Sequence, residues 1–361
     1  MNPMRVLVVD DSALVRQIVT RILSETPRIE VVGFARNGVE AVAMVRELHP
    51  DVVTLDIQMP EMDGIEALKH IVRDSNARVV MLSSLDDPET TYRALEAGAV
   101  EFIAKPHEGM ASSMGRLSTD LVRAVRTAYA VSPDKRVSTN VPAAGEPQQQ
   151  AREPQEPQLE PTLTDPLQIV CIASSTGGPL ALERVFAGLR TDTPTAYLVV
   201  QHLPAGFAGS FAARLGRVAG FTIVEAADGM RIRSGFGYVA PWGTHMQVTG
   251  APGAATLIRL VDGPTLHGLK PSADPLFESA AESYGPAVTG VVLTGMGSDA
   301  ALGLLAVRAA GGATIAQDED TSVVWGMPGA AVKLGAAQYV VPIDRVAAEI
   351  RRTLRGPEAA S

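Results

Sequence analysis

The chain has 361 residues, 46% of them hydrophobic, enough to bury two ordinary cores. Its net charge of -9 and 4% aromatic content leave neither a basic footprint for nucleic acid nor a stacking surface for single strands. No apolar run reaches the roughly 18 residues of a membrane span, and MNPMRVLVVDDS enters a strand pattern directly, without signal-peptide architecture. The chain is expected in the cytoplasm, with no direct membrane insertion.

In chain order, the first apolar runs are RVLVVD, IEVVGFA, DVVTLD, ARVVMLS and EFIAK, separated by stretches of helical periodicity. Short β-branched runs alternating with helices predict a doubly wound, five-stranded parallel sheet over residues 1–130. Residues 131–165 are rich in Pro, Gln and Glu, and almost free of bulky apolar side chains. Such a segment buries too little surface to offset its ordering entropy and reads as a disordered linker. Over 166–361 the α/β rhythm returns with LQIVCIA, AYLVVQH, VTGVVLTG and GATIAQD. This predicts a second doubly wound, mostly parallel sheet, with FGYVAPWGTHMQVTG and ATLIRL as an antiparallel excursion. Cys171, in IVCIA, has no disulfide partner and reads as a small buried hydrophobe. Residues 166–361 carry 14 basic and 15 acidic side chains, so this half also lacks a DNA-binding footprint.

Ligands of an open parallel sheet bind beyond the carboxyl ends of its strands. In the first half these ends carry Asp10 and Asp11, Asp56, Ser83 and Lys105. Three converging carboxylates repel one another unless a hard cation such as Mg²⁺ sits among them. With a hydroxyl and an ammonium added, the set suits phosphoryl transfer to an aspartate. Residues 4–128 closely resemble the response-regulator receiver domain, through DD at 10–11, LDIQMPEMDG at 55–64, SS at 83–84 and KP at 105–106. The resemblance implies that Asp56 accepts phosphate from a histidine kinase. It also implies that Asp10, Asp11, Asp56 and the Gln58 carbonyl hold Mg²⁺, that Ser83 and Lys105 contact the phosphoryl oxygens, and that Phe102 is the aromatic switch residue.

In the second half, IASSTGGP lies where a strand becomes a helix. The nucleophile-elbow pattern G-x-S-x-G fits best over Ala173–Gly177, centred on Ser175 with Ala at its first position. Such a turn lifts a hydroxyl above the sheet edge and aims free amides beside it; helix capping by the serines is the competing reading. His202 ends the next strand, and Asp299 lies in the glycine turn of VTGVVLTGMGSDAALG. A carboxylate there can fix the imidazole tautomer, although Asp299 could instead cap the following helix. His245 and His267 read as structural or exposed, and no ligand spacing supports a metal.

Residues 166–354 closely resemble the catalytic domain of the chemotaxis protein-glutamate methylesterases, through ASSTGGP, VVQHLP, YVAPWGTHM, LKPSADPLFESAA and VVLTGMGSDAALGL. The resemblance implies a Ser175–His202–Asp299 triad, with the amides of Thr176 and Met296 as oxyanion donors and no organic cofactor. It also implies hydrolysis of γ-glutamyl methyl esters on chemoreceptor cytoplasmic helices and deamidation of particular receptor glutamines. Ser174 stands where the family usually has Ala, Trp242 where Gly is common, and Ala300 where Gly often follows the aspartate. A phosphorylation-switched adaptor is the alternative of a different class, and methanol release separates the two. The unphosphorylated receiver is expected to pack over the edge that carries Ser175.

Overall fold

The computed structural model describes residues 3–83, 88–105, 111–132, 164–191 and 193–354. Most of the expected linker, together with Ser84 and Pro106 of the receiver motifs, lies outside the described residues. The first half runs β1 (Met4–Val9), α1 (Ala13–Ser24), β2 (Ile29–Ala35), α2 (Gly38–Leu48), β3 (Val52–Asp56), α3 (Gly64–Asp74), β4 (Arg78–Ser83), α4 (Pro88–Glu96), β5 (Glu101–Ala104) and α5 (Ala111–Ala130). Its sheet order is β2-β1-β3-β4-β5, parallel throughout. All five residues of β3 are buried, as a strand covered on both faces requires, and so its sequence does not alternate. Three helices start on side-chain caps: Ser12 accepts from the Val15 amide, Asn37 from Glu40 and Asp63 from Glu66.

The second half continues with β6 (Gln168–Ser174), α6 (Gly178–Ala187), β7 (Thr195–Gln201), α7 (Ala208–Ala219), β8 (Ile223–Glu225), β9 (Arg231–Ile232), β10 (Gly237–Val239), β11 (His245–Thr249) and β12 (Thr256–Val261). It ends with α8 (Asp274–Tyr284), β13 (Val288–Val292), α9 (Ala301–Ala309), β14 (Ala313–Gln317), α10 (Met327–Lys333), β15 (Tyr339–Val341) and α11 (Ile343–Leu354). The seven-stranded order is β15-β14-β13-β6-β7-β10-β8, and every pair is parallel. The antiparallel excursion has other bounds than expected. β10 joins the parallel sheet between β7 and β8, and only β11, β12 and β9 form the small antiparallel sheet. Burial explains the difference: β10 is buried at every residue, whereas the first four residues of β12 alternate between buried and exposed.

Residues 164–166, at the expected linker boundary, pack on the second half. Thr164 accepts from the Ser234 amide, Asp165 pairs with Arg231 at 2.8 Å, and Pro166 accepts from Gly253. Cys171 is buried and free. No described helix is long and apolar enough to cross a membrane.

The receiver's α4 and β5 lie against α7 of the second half. Tyr92 packs on Phe211 at 5.8 Å between ring centroids, and Phe102 packs on Phe207 at 4.9 Å. Arg214 of α7 is buried there, bonded to Glu183 of its own half and to Glu89 and Glu96 of the receiver. A buried guanidinium needs this saturation, because an unpaired charge would cost several kcal/mol.

Candidate active site

The order β13-β6-β7 places three strand ends side by side, and the turn after each carries one of the expected triad residues. Ser175 follows β6, His202 follows β7, and Asp299 lies between β13 and α9. Residues far apart in the chain thus meet at one carboxyl edge, where the topology puts ligands. Neither capping alternative applies. The N-cap of α6 is Gly177 and that of α9 is Ala300, and neither helix has a side-chain cap bond. Ala300 takes φ 70, a left-handed conformation that favours glycine and costs alanine about 1–2 kcal/mol.

His202 Nε2 lies 2.8 Å from Asp299 Oδ2. An ionised carboxylate only accepts, so Nε2 carries the hydrogen and Nδ1 keeps its lone pair. Nδ1 is buried and, among the described residues, no protein group bonds to it, so its lone pair is open to a proton. Ser175 is buried, with its amide bonded to the Thr294 carbonyl at 3.0 Å. Its hydroxyl is not bonded to the imidazole in this arrangement, a separation common in unliganded sites. Gly295 makes the close packing possible, because a Cβ there would stand 2.8 Å from that of Ser175.

Asp299 is wholly buried. Burial alone would push its pKa up, but His202, Ser272 and the Ala273 amide together bring it down to about 2. Ser272 Oγ donates to Oδ1 at 2.5 Å, and the Ala273 amide donates to Oδ2 at 2.9 Å. These partners went unnoticed in the sequence; the LKPSAD stretch was the available signal. His245 supports them from behind: its Nδ1 accepts from the Ser272 amide at 3.1 Å and its Nε2 lies 2.9 Å from the Pro264 carbonyl oxygen. His267 pairs instead with Asp274, at 2.9 Å.

Among the described residues, no protein group accepts from the backbone amides of Thr176 or Met296. The Met296 sulfur accepts from Thr127 of the receiver at 2.7 Å. The Thr176 hydroxyl donates to Glu101 of β5. A cleft of 280 Å³ runs between the halves, with Phe102, Arg123, His202, Trp242 and Lys270 in its walls.

At the receiver edge, Asp10, Asp11 and Asp56 offer carboxylate oxygens within 4.8 Å of one another. Lys105 Nζ lies 2.8 Å from Asp10 and 2.7 Å from Asp56. Burial and the Asp10 charge push the Asp56 carboxyl up to about 6, against the pull of Lys105. Such a crowded, all-oxygen set fits a hard divalent cation. Gln58 adjoins it, its amide 3.4 Å from Asp56 Oδ1. The Ser83 hydroxyl is paired with Thr91 of α4, and Phe102 is buried against the second half.

Fold and site together define a receiver domain joined to an α/β domain with a hydrolase-like constellation. The family model described as response regulator receiver domain matches residues 6–111, and that described as CheB methylesterase matches residues 170–350. The chain belongs to the family of chemotaxis methylesterases with an N-terminal receiver. It is 43% identical over 348 residues to protein-glutamate methylesterase/protein-glutamine glutaminase 1 of Xanthomonas campestris pv. campestris, covering 96% of each chain. It is 39% identical to the protein-glutamate methylesterase/protein-glutamine glutaminase of Pyrococcus abyssi, over 97% of this chain and 93% of that one. The solved Thermotoga maritima CheB methylesterase catalytic domain is 37% identical, with a TM-score of 0.49, over 51% of this chain and 96% of that one.

Proposed function

We propose that the chain hydrolyses glutamate γ-methyl esters on the cytoplasmic helices of chemoreceptors, deamidates particular receptor glutamines, and is activated by phosphorylation at Asp56. The observation that carries this reading is the His202–Asp299 pair beside Ser175, with the imidazole Nδ1 left unpaired. Ser175 Oγ attacks the γ-carbonyl carbon as Nδ1 takes its proton. The carbonyl oxygen becomes an oxyanion facing the Thr176 and Met296 amides, and Asp299 stabilises the imidazolium. Collapse expels the methoxy group, which takes the proton from His202 and leaves as methanol. Water, deprotonated by His202, then releases the glutamate carboxylate and restores Ser175. With glutamine the same steps release ammonia.

The receiver supplies the control. Asp10, Asp11, Asp56 and the Gln58 carbonyl would hold Mg²⁺, which would supply charge neutralisation there, and Asp56 accepts phosphate from a histidine kinase. Lys105 and Ser83 meet the phosphoryl oxygens. Drawing Ser83 toward phosphate breaks its pairing with Thr91 and disturbs the α4–β5 face that packs on α7. Methanol release from methylated receptor membranes, with and without a small phosphodonor, tests this reading. Release accelerated by the phosphodonor supports it, and binding without any methanol release would favour an adaptor.

A further inference from the structure

One side chain behind the cleft touches both catalytic turns. β6 and β7 pair with Ser174 opposite Gln201 at their carboxyl ends. Gln201 Nε2 donates to the Ser175 carbonyl at 2.9 Å and to the His202 carbonyl at 3.1 Å, while its Oε1 accepts from Ser174 Oγ at 2.7 Å. Gln201 is 3% exposed and Ser174 is 0% exposed, so water does not compete for these bonds. Both amide hydrogens are used. A flipped amide would turn its oxygen toward two carbonyl oxygens, and the Ser174 hydroxyl, placed to donate, fixes the orientation seen. Gly178 leaves room for the amide, because a Cβ there would stand 2.0 Å from Oε1.

We propose that Gln201 is a positioning residue that sets the spacing of nucleophile and base, and that Ser174 acts through it. The proposal rests on the triad reading above. The Ser175 and His202 carbonyls share one planar amide, which adds a second tie beyond the strand ends to the direct bond of the His202 amide to the Ser174 carbonyl at 3.2 Å. The turn has other supports: the Ser175 carbonyl also accepts from the Gly178 amide at 2.8 Å, and the Ser175 amide is held by Thr294. Loss of the Gln201 amide therefore loosens the spacing without dismantling the turn. Ser174, where alanine is usual in the family, orients the clamp rather than attacking.

The test uses the full-length, phosphodonor-treated protein carrying Gln201→Met, Ser174→Ala, both together, or Ser175→Ala. Methyl-ester hydrolysis is measured, with thermal unfolding and phosphate uptake as folding controls. Gln201→Met should lower kcat about 100-fold and leave KM within about twofold, because spacing affects the chemical step and not binding. Ser174→Ala should lower kcat about fivefold. Added to Gln201→Met it should cost less than about twofold more, since it has no other route of action. A folded Gln201→Met enzyme with wild-type kcat, or with only KM changed, overturns the proposal. If Gln201→Met does not fold, an unchanged kcat in Ser174→Ala overturns it. Activity in Ser175→Ala would instead overturn the triad, and that failure is read separately.

Discussion

The Glu101 carboxylate at the start of receiver strand β5 accepts a hydrogen bond from the Thr176 hydroxyl at 2.5 Å, one residue beyond Ser175. Burial at this contact pushes the Glu101 carboxyl above its usual range, with Arg123, the Thr176 hydroxyl and His202 acting against that shift. A receiver side chain thus stands at the turn a substrate carbonyl must reach. Phe102 on Phe207 and Arg214 on Glu89 and Glu96 hold the same face in place.

Glu101→Ala should raise the turnover of unphosphorylated protein about fivefold, the worth of one such bond at a domain contact. Initial rates of ester hydrolysis without phosphodonor check this. An unchanged basal rate would mean that the contact does not hold the receiver closed.

Ser175→Ala should remove several orders of magnitude of activity, roughly 10⁴-fold or more, while the receiver still takes phosphate. Ser174→Ala should keep about a fifth of the activity. The reverse pattern would place the nucleophile one residue earlier.

His202→Gln and Asp299→Asn should each disable the enzyme, and either one added to Ser175→Ala should cost almost nothing more, because the three act as a unit. Ser272→Ala should give an intermediate loss, about tenfold, by releasing one oxygen of Asp299. Independent, multiplying losses for the three would contradict a triad.

Asp299 also predicts a pH dependence. Its pKa is depressed to about 2 in the folded protein, so its stabilising contribution is complete above about pH 4, the unfolded value, and is lost as pH falls through 2. The shift corresponds to roughly 2 kcal/mol. Denaturant unfolding should show a gap between wild type and Asp299→Asn at pH 5 that narrows below pH 4. A gap that widens on acidification would contradict the hydrogen-bond assignment.

Much of this was legible in the sequence because the strongest signals are local. β3 falls within the run DVVTLD, since a strand covered on both faces has no exposed side to mark with alternating polar residues. Ser175, His202 and Asp299 stood out because each lies in the turn that follows a strand, and parallel strands deliver their carboxyl ends to one edge. The two-residue β9 and the three-residue β8 and β15 were missed, being too short to show a period. The buried Gly-Tyr-Val of β10 was misread because glycine and tyrosine beside a turn carry no mark of sheet direction. Ser272, Ala273 and Gln201 escaped notice for another reason: their roles lie in hydrogen bonds to residues distant in the chain. The same holds for Arg214, whose receiver partners lie more than 100 residues away.

The most direct test of the account is methanol release from methylated receptor membranes by the full-length protein. Wild type treated with a small phosphodonor should release methanol faster than untreated wild type. A protein cut before Thr164, which keeps the ordered contacts of residues 164–166, should release it rapidly without any phosphodonor. Ser175→Ala should release none while still taking phosphate on Asp56. Equal release by wild type and Ser175→Ala, or no release by phosphorylated wild type, would contradict the claim that Ser175 hydrolyses glutamyl methyl esters under receiver control.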